Sequence, residues 1–118
     1  MHIEGRRQKT SEAKAMHSDA QWRRKTFARA LNAVYHADID YAKQELRAVI
    51  NGELGFEKLA DLTSLPSKSL HRMLSTKGNP TAKNLGCILQ AIITFEGYET
   101  KVIVSHSHAW KLSNGEMV

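Results

Sequence analysis

The chain is short of the residues that most secreted and catalytic scaffolds rely on. Its 118 residues hold one cysteine, Cys87, so no disulfide can close within it. Cys87 sits in an apolar stretch and reads as a small buried residue of a reduced, cytoplasmic protein. No run approaches the roughly 20 apolar residues that a membrane-crossing helix needs. The N-terminus is charged and has no apolar run, so no secretory signal is expected. Internal repeats are missing too. There is no glycine-rich loop to cradle a phosphate, no strong metal-ligand spacing and no nucleophile beside a base. The expectation is a non-enzyme without cofactor or bound metal. One further absence points somewhere: between Asp61 and Glu96 there is no acidic residue, whereas Lys68, Arg72, Lys77 and Lys83 all lie there.

What is present fits one domain. The formal charge is +5 and the pI is near 9.5. That balance suits a polyanionic partner such as nucleic acid, with an indifferent basic surface as the plain alternative. Residues 1–6 include Ile3-Glu4-Gly5-Arg6, a recognition site for a processing protease, and read as a tag remnant. With the polar residues up to 17 they form an expected flexible arm.

From Ser18 the pattern turns helical. Ser18-Asp19-Ala20-Gln21 fits a capping box that opens a helix over 18–35. Phe27, Leu31, Val34 and Tyr35 are expected inward, and Arg23, Arg24, Lys25 and Arg29 on the rest. Asp38 or Asp40 caps a second helix, whose Ile39, Ala42, Leu46, Val49 and Ile50 recur at helical spacing and which Asn51-Gly52 ends. A short third helix covers 56–63, with Phe56, Leu59, Ala60 and Leu62 inward. A fourth starts at Pro66 or Ser67 and runs to 75, with Leu70, Met73 and Leu74 inward. In Lys77-Gly78-Asn79-Pro80, Gly78 stops one helix, Asn79 caps the next and Pro80 takes its first position. That fifth helix runs over 80–95, buries Leu85, Ile88, Leu89 and Ile92, and breaks at Glu96-Gly97. Residues 98–104 are β-branched and aromatic and read as a strand. Its partner is either the 109–112 segment or the same strand of a second subunit. The expected fold class is mainly α: a helical domain over 18–97, then a C-terminal strand or hairpin within 98–118.

Residues 55–75 lay out a short helix, a tight turn and a second short helix, and a longer apolar helix follows. That is the pattern of a helix-turn-helix, whose second helix enters the DNA major groove. Its outward face carries Ser67, Lys68, His71, Arg72 and Ser75. Residues near the start of such a helix lie deepest in the groove, so Ser67, Lys68 and Arg72 are the expected base contacts. Ser69, His71, Lys77, Asn79, Thr81 and Lys83 are the expected phosphate contacts, which position without specifying. The competing reading is an ordinary solvated face between two core helices.

The stretch from Gly55 to Ser75, with its Leu70-His71-Arg72-Met73-Leu74-Ser75 run and the Gly78-Asn79-Pro80-Thr81 sequence that follows, resembles the probable addiction-module antidote proteins. These are small bacterial regulators with a lambda-repressor-like DNA-binding domain, related to HigA-type antitoxins. The resemblance reaches back weakly to Phe27. It implies a DNA-binding repressor, often dimeric, encoded beside a toxin that it neutralises and acting on their shared promoter. The chain departs from the family at Glu57, where Ser or Gln is usual, at Ser64, where Gly is usual in the turn, and at Pro66, where Ser is usual. A free-standing regulator and a protein-interaction adaptor that keeps the shape without binding DNA are the alternatives.

Weaker signals remain. His106 and His108 share a strand face at a spacing that can chelate a metal, but no Cys or carboxylate cluster lies near them in sequence. Arg23-Arg24-Lys25 could touch DNA flanks or an acidic partner, or be a solvated face. Trp22 and Trp110 suit either a core or an interface. Residues 98–104 and the first helix are the rival surfaces for a homodimer.

Overall fold

Asp19 begins the helical part. Its carboxylate accepts the backbone N–H groups of Gln21 at 2.8 Å and Trp22 at 3.1 Å, two of the donors that a helix start leaves unbonded. The computed structural model describes residues 19–107, so the Ser18 half of the expected capping box lies outside them. Five α-helices follow in the described residues: α1 Ala20–Tyr35, α2 Ile39–Val49, α3 Phe56–Thr63, α4 Ser67–Met73 and α5 Ala82–Glu96. Asp38 caps α2 by accepting the N–H of Tyr41. The fold is mainly helical, and no strand occurs among the described residues. The 109–112 segment, one expected partner of residues 98–104, lies outside them. No described helix is long and apolar enough to cross a membrane.

Several local expectations need correcting. Asn51-Gly52 does not end α2. The chain continues through a π-helical turn, Ile50–Leu54, closed by the Gly55 N–H on the Ile50 carbonyl at 2.7 Å. Ile50 and Leu54 are both buried, and the wider turn lets both face the core while Asn51 and Glu53 stay in water. The break comes at Gly55, whose φ of 79° and ψ of 154° suit only glycine. Second, Asn79 and Pro80 do not start α5. Thr81 is its cap, with its hydroxyl accepting the N–H of Asn84 at 3.1 Å. Third, the inward face of α1 is rotated from the expected one. Thr26, Phe27, Ala30 and Ala33 are buried, Leu31 and Val34 are half-buried, and Tyr35 is exposed. The two alanines let α2 pack closely, which the large apolar residues would prevent. On α3, Leu62 is likewise exposed rather than inward, and Cys87 on α5 is only half-buried.

The core joins all five helices. Leu46, Ile50, Leu59, Leu70, Leu74, Ile88 and Ile92 are fully buried, and each stabilises the fold by roughly 1.5–3 kcal/mol. α3 packs on both α4 and α5, and the π turn bridges α2 to α3 and α5. At the far end an ion pair closes α1 onto α5. The Arg23 Nε and Nη2 donate to the two Glu96 oxygens at 2.7 and 3.2 Å, with side chains only 7% and 6% exposed. The hydrogen bond to Glu96 raises the guanidinium above its usual range. Tyr98, beyond Gly97, lays its ring 5.3 Å from that of Phe27, and burial pushes its phenol up.

Removing one partner of a buried pair leaves the other charge unsatisfied, at a cost of about 3 kcal/mol or more. Arg23→Met should therefore lower the unfolding free energy by about that amount in urea titration. The neighbouring Arg24→Met, on an exposed side chain, should change it by less than about 0.5 kcal/mol.

Candidate nucleic-acid interface

The turn between α3 and α4 is three residues, Ser64, Leu65 and Pro66. Ser64 is left-handed, at φ 59° and ψ 25°, a conformation that costs a non-glycine residue about 1 kcal/mol. Thr63 braces it. Its hydroxyl donates to the Leu59 carbonyl at 2.8 Å and accepts the N–H of Leu65 at 3.3 Å. Pro66 then enters α4 at φ −60°, the angle its ring imposes, and no side chain caps the helix. α4 starts at Ser67, the later of the two positions expected.

α4 has seven residues, too few to be stable alone. Leu70 and Leu74 bury one side of it. Its far end is held by two cations of α2. The Lys43 ammonium donates to the Gly78 carbonyl at 2.6 Å and the Thr76 carbonyl at 3.3 Å, and lies 3.3 Å from Asp40. The Arg47 guanidinium donates to the Leu74 carbonyl. Lys43 is 2% exposed. These are the positioning residues that the sequence reading passed over. The signal was available: Lys43 falls on the same helical stripe as Ile39, Ala42, Leu46 and Ile50, where a lysine must either snorkel or find carbonyls.

The loop after α4 folds back under it. Ser75 Oγ donates to the Arg72 carbonyl at 2.7 Å and accepts the Gly78 N–H at 3.2 Å. Gly78 is thereby pressed against α4, and a Cβ there would lie 1.8 Å from the Arg72 carbonyl oxygen. Its role is close approach, not the helix stop that its place in the sequence suggested.

This frame sets the expected contact residues as follows. Ser67 and Lys68 stand at the start of α4, with Lys68 exposed. Ser69, Arg72 and Asn79 line an open groove of about 440 Å³ between α4 and the start of α5. Asn84 lines it too, a polar residue absent from the sequence-based set. Lys77 is exposed in the loop. His71, also exposed, stacks on Phe56 with ring centroids 3.9 Å apart, so one face of its imidazole covers the core. Thr81 already uses its hydroxyl oxygen as the α5 cap. Lys83 lines a different groove, with Leu62, Cys87 and Gln90, away from Arg72.

The cations divide into two groups. Arg23, Arg29 and Lys43 are in ion pairs, and the Glu45 hydrogen bond raises Arg29. Lys68, Arg72, Lys77 and Lys83 are exposed and form no ion pair among the described residues. The Arg23-Arg24-Lys25 cluster is thus split, with Arg23 committed to Glu96 and the other two exposed. His106 is exposed, and His108 lies outside the described residues, as does Trp110. Comparison of the chain with protein-family models, with curated proteins and with solved structures gives no match.

The two glycines near the site respond oppositely to a methyl group. Gly78→Ala should destabilise by about 2 kcal/mol or more, because the clash is with backbone. Gly86, within α5, has open space around its Cβ position, so Gly86→Ala should add about 0.5–1 kcal/mol. Thermal unfolding of the pair checks the difference. Lys43→Met should cost about 2 kcal/mol by removing a charged donor from two part-buried hydrogen bonds. Amide exchange should show the added opening concentrated in α4 and the loop behind it.

Proposed function

We propose that the protein binds double-stranded DNA sequence-specifically, as a bacterial transcriptional regulator that works in pairs of copies. The supporting observation is that Lys68 and Arg72 on α4 and Lys77 in the loop after it are exposed and form no ion pair among the described residues, on a short helix anchored from behind. Each phosphate neutralised by such a cation releases condensed counterions, which drives association. On this reading α4 enters the major groove. Ser67, Lys68 and Arg72 face base edges, and Arg72 is suited to the two acceptors of guanine. Ser69, His71, Lys77, Asn79, Thr81 and Lys83 meet phosphates, joined by Asn84 in the groove beside Arg72.

One reading helix makes few base contacts, so two half-sites about one DNA turn apart supply the needed specificity. The narrower role, an antitoxin that neutralises a cognate toxin and represses its own promoter, follows from the resemblance of residues 55–81 to addiction-module antidotes. Glu57, exposed at the start of α3, is the feature that favours the adaptor alternative, since a carboxylate there repels phosphate.

Binding to selected duplex DNA across a salt series tests the reading. Affinity should fall with a log–log slope of about −0.9 per phosphate contacted. Arg72→Ala should weaken the preferred site by roughly 1–3 kcal/mol and flatten its sequence preference. Lys77→Ala should weaken all sequences alike and reduce the slope by about 1. Lack of saturable binding at low salt would remove the DNA reading and leave the adaptor.

A further inference from the structure

One exposed side chain of α4 is held more firmly than its exposure suggests. His71 lies in the last turn of the helix and stacks on Phe56, with ring centroids 3.9 Å apart and planes 20° from parallel. Phe56 is buried at the start of α3, so the surface beneath the imidazole is part of the packed core. Neither imidazole nitrogen has a hydrogen-bond or ion-pair partner among the described residues. The stack thus fixes the ring by one face and leaves both nitrogens open to a ligand. An imidazole is also the side chain whose ordinary titration changes its charge between about pH 5 and 8.

We propose that His71 makes DNA binding depend on pH: its imidazolium, held in place by Phe56, offsets the Glu57 carboxylate and holds a phosphate, and its neutral form gives that contact up. The inference rests on the DNA reading above and deepens it by assigning proton uptake on binding to one residue. The charges on the elements packed around the ring set the balance. On α4, Lys68 is one turn earlier and Arg72 is next in the chain, both exposed, and both oppose a further positive charge. On α3, Glu57 and Lys58 follow Phe56 and Asp61 lies farther along, all exposed. Lys77 is exposed in the loop after α4, and Lys43 and Arg47 of α2 are bonded to carbonyls at that end. The carbonyl end of α4 and the π face of Phe56 favour the imidazolium.

The sign follows from linkage. A phosphate beside the ring favours its charged form, so bound DNA raises the pH at which the proton leaves. Affinity is then greatest below the titration of the free protein, and the gain is lost as pH rises through the titration of the complex. Each unit by which phosphate raises that titration changes affinity by about a factor of ten. Lysine and arginine keep their charge across this range, so they supply affinity without pH dependence. Glu57, next to Phe56 in the chain, repels phosphate on its own. With His71 charged that repulsion is offset, and with His71 neutral it is not.

Fluorescence anisotropy of the full chain with a duplex selected from a random pool, at pH 6 and pH 8 and several salt concentrations, tests this. The wild type should bind about five- to tenfold more tightly at pH 6 than at pH 8. Its log–log salt slope should be steeper at pH 6 by about 0.9 per bound copy, because one more phosphate is neutralised. His71→Phe keeps an aromatic ring over Phe56 and should bind at both pH values as the wild type does at pH 8. His71→Lys carries a permanent charge and should bind at both as the wild type does at pH 6. Circular dichroism at the two pH values checks that the variants fold alike. If His71 serves only to cover Phe56, His71→Phe will keep the wild-type pH dependence, and that result overturns the proposal. A His71→Lys variant that stays pH-dependent overturns it too, and moves the effect to another histidine such as the exposed His36. A wild type that binds the duplex equally at both pH values removes the inference and leaves the DNA reading standing, whereas absence of binding at either pH removes both.

Discussion

The position of α4 depends on an ammonium group that has almost no water around it. A helix of seven residues leaves most of its C-terminal carbonyls without partners inside the helix, and nothing in its length holds it in place. Lys43 and Arg47, one turn apart on α2, take up the carbonyls of Leu74, Thr76 and Gly78. Positive charge at a helix C-terminus is favoured by the peptide dipoles. Burying an ammonium is costly unless its protons are satisfied, and here Asp40 supplies a third partner. The arrangement is therefore mutual: the loop needs the lysine for its carbonyls, and the lysine needs the loop to accept its N–H groups.

That bond also explains why net charge is a poor guide to this molecule. Some of the cations behind the +5 are structural. Arg23 locks the ends of α1 and α5 together, Arg29 joins α1 to Glu45 of α2, and Lys43 and Arg47 hold α4. Their charge is spent inside the protein. Of those left over, Lys68, Arg72, Lys77 and Lys83 lie in the stretch between Asp61 and Glu96, which has no acid to neutralise them, while Arg24 and Lys25 on α1 and Lys58 on α3 are exposed outside it. Location relative to carboxylates, more than the total, decides what a polyanion would meet.

The sequence made the order of helices legible because apolar spacing and caps are local signals. Asp38, the Phe56 to Thr63 helix and the Glu96-Gly97 break all follow from residues within one turn. What it concealed was decided by distant partners. The face of α1 turned so that Ala30 and Ala33 could meet α2, leaving Tyr35 in water. Asn51-Gly52 carries a stop signal, yet Ile50 and Leu54 flank it and their burial prevails. Gly78 is an ordinary loop glycine until the Arg72 carbonyl is placed against it. The left-handed backbone at Ser64 was signalled only through the resemblance, which puts glycine at that turn position. On α4, of the residues that apolar spacing left outward, Lys68, His71 and Arg72 are exposed and Ser67 and Ser75 half-buried. Lys43, Arg47 and Asn84 were missed, since their importance lies in contacts across the fold.

These points converge on stiffness. Strain at Ser64 persists only because its surroundings fix it: the Thr63 hydroxyl spans the turn, and the Pro66 ring removes freedom the chain would otherwise lose on folding. The other end of α4 is fixed by the α2 cations and by the close approach of Gly78. A short helix restrained at both ends and buried along one side has little room to tilt or slide. The side chains it offers therefore keep a constant relation to the groove at the start of α5. Ser69, Arg72, Asn79 and Asn84 line that groove, although they come from a helix, a loop and a second helix. Because the backbone beneath them cannot easily shift, they would meet a ligand as one pre-set surface. Ordering them on binding then costs little, and that is the condition under which a few polar contacts can discriminate one partner from another.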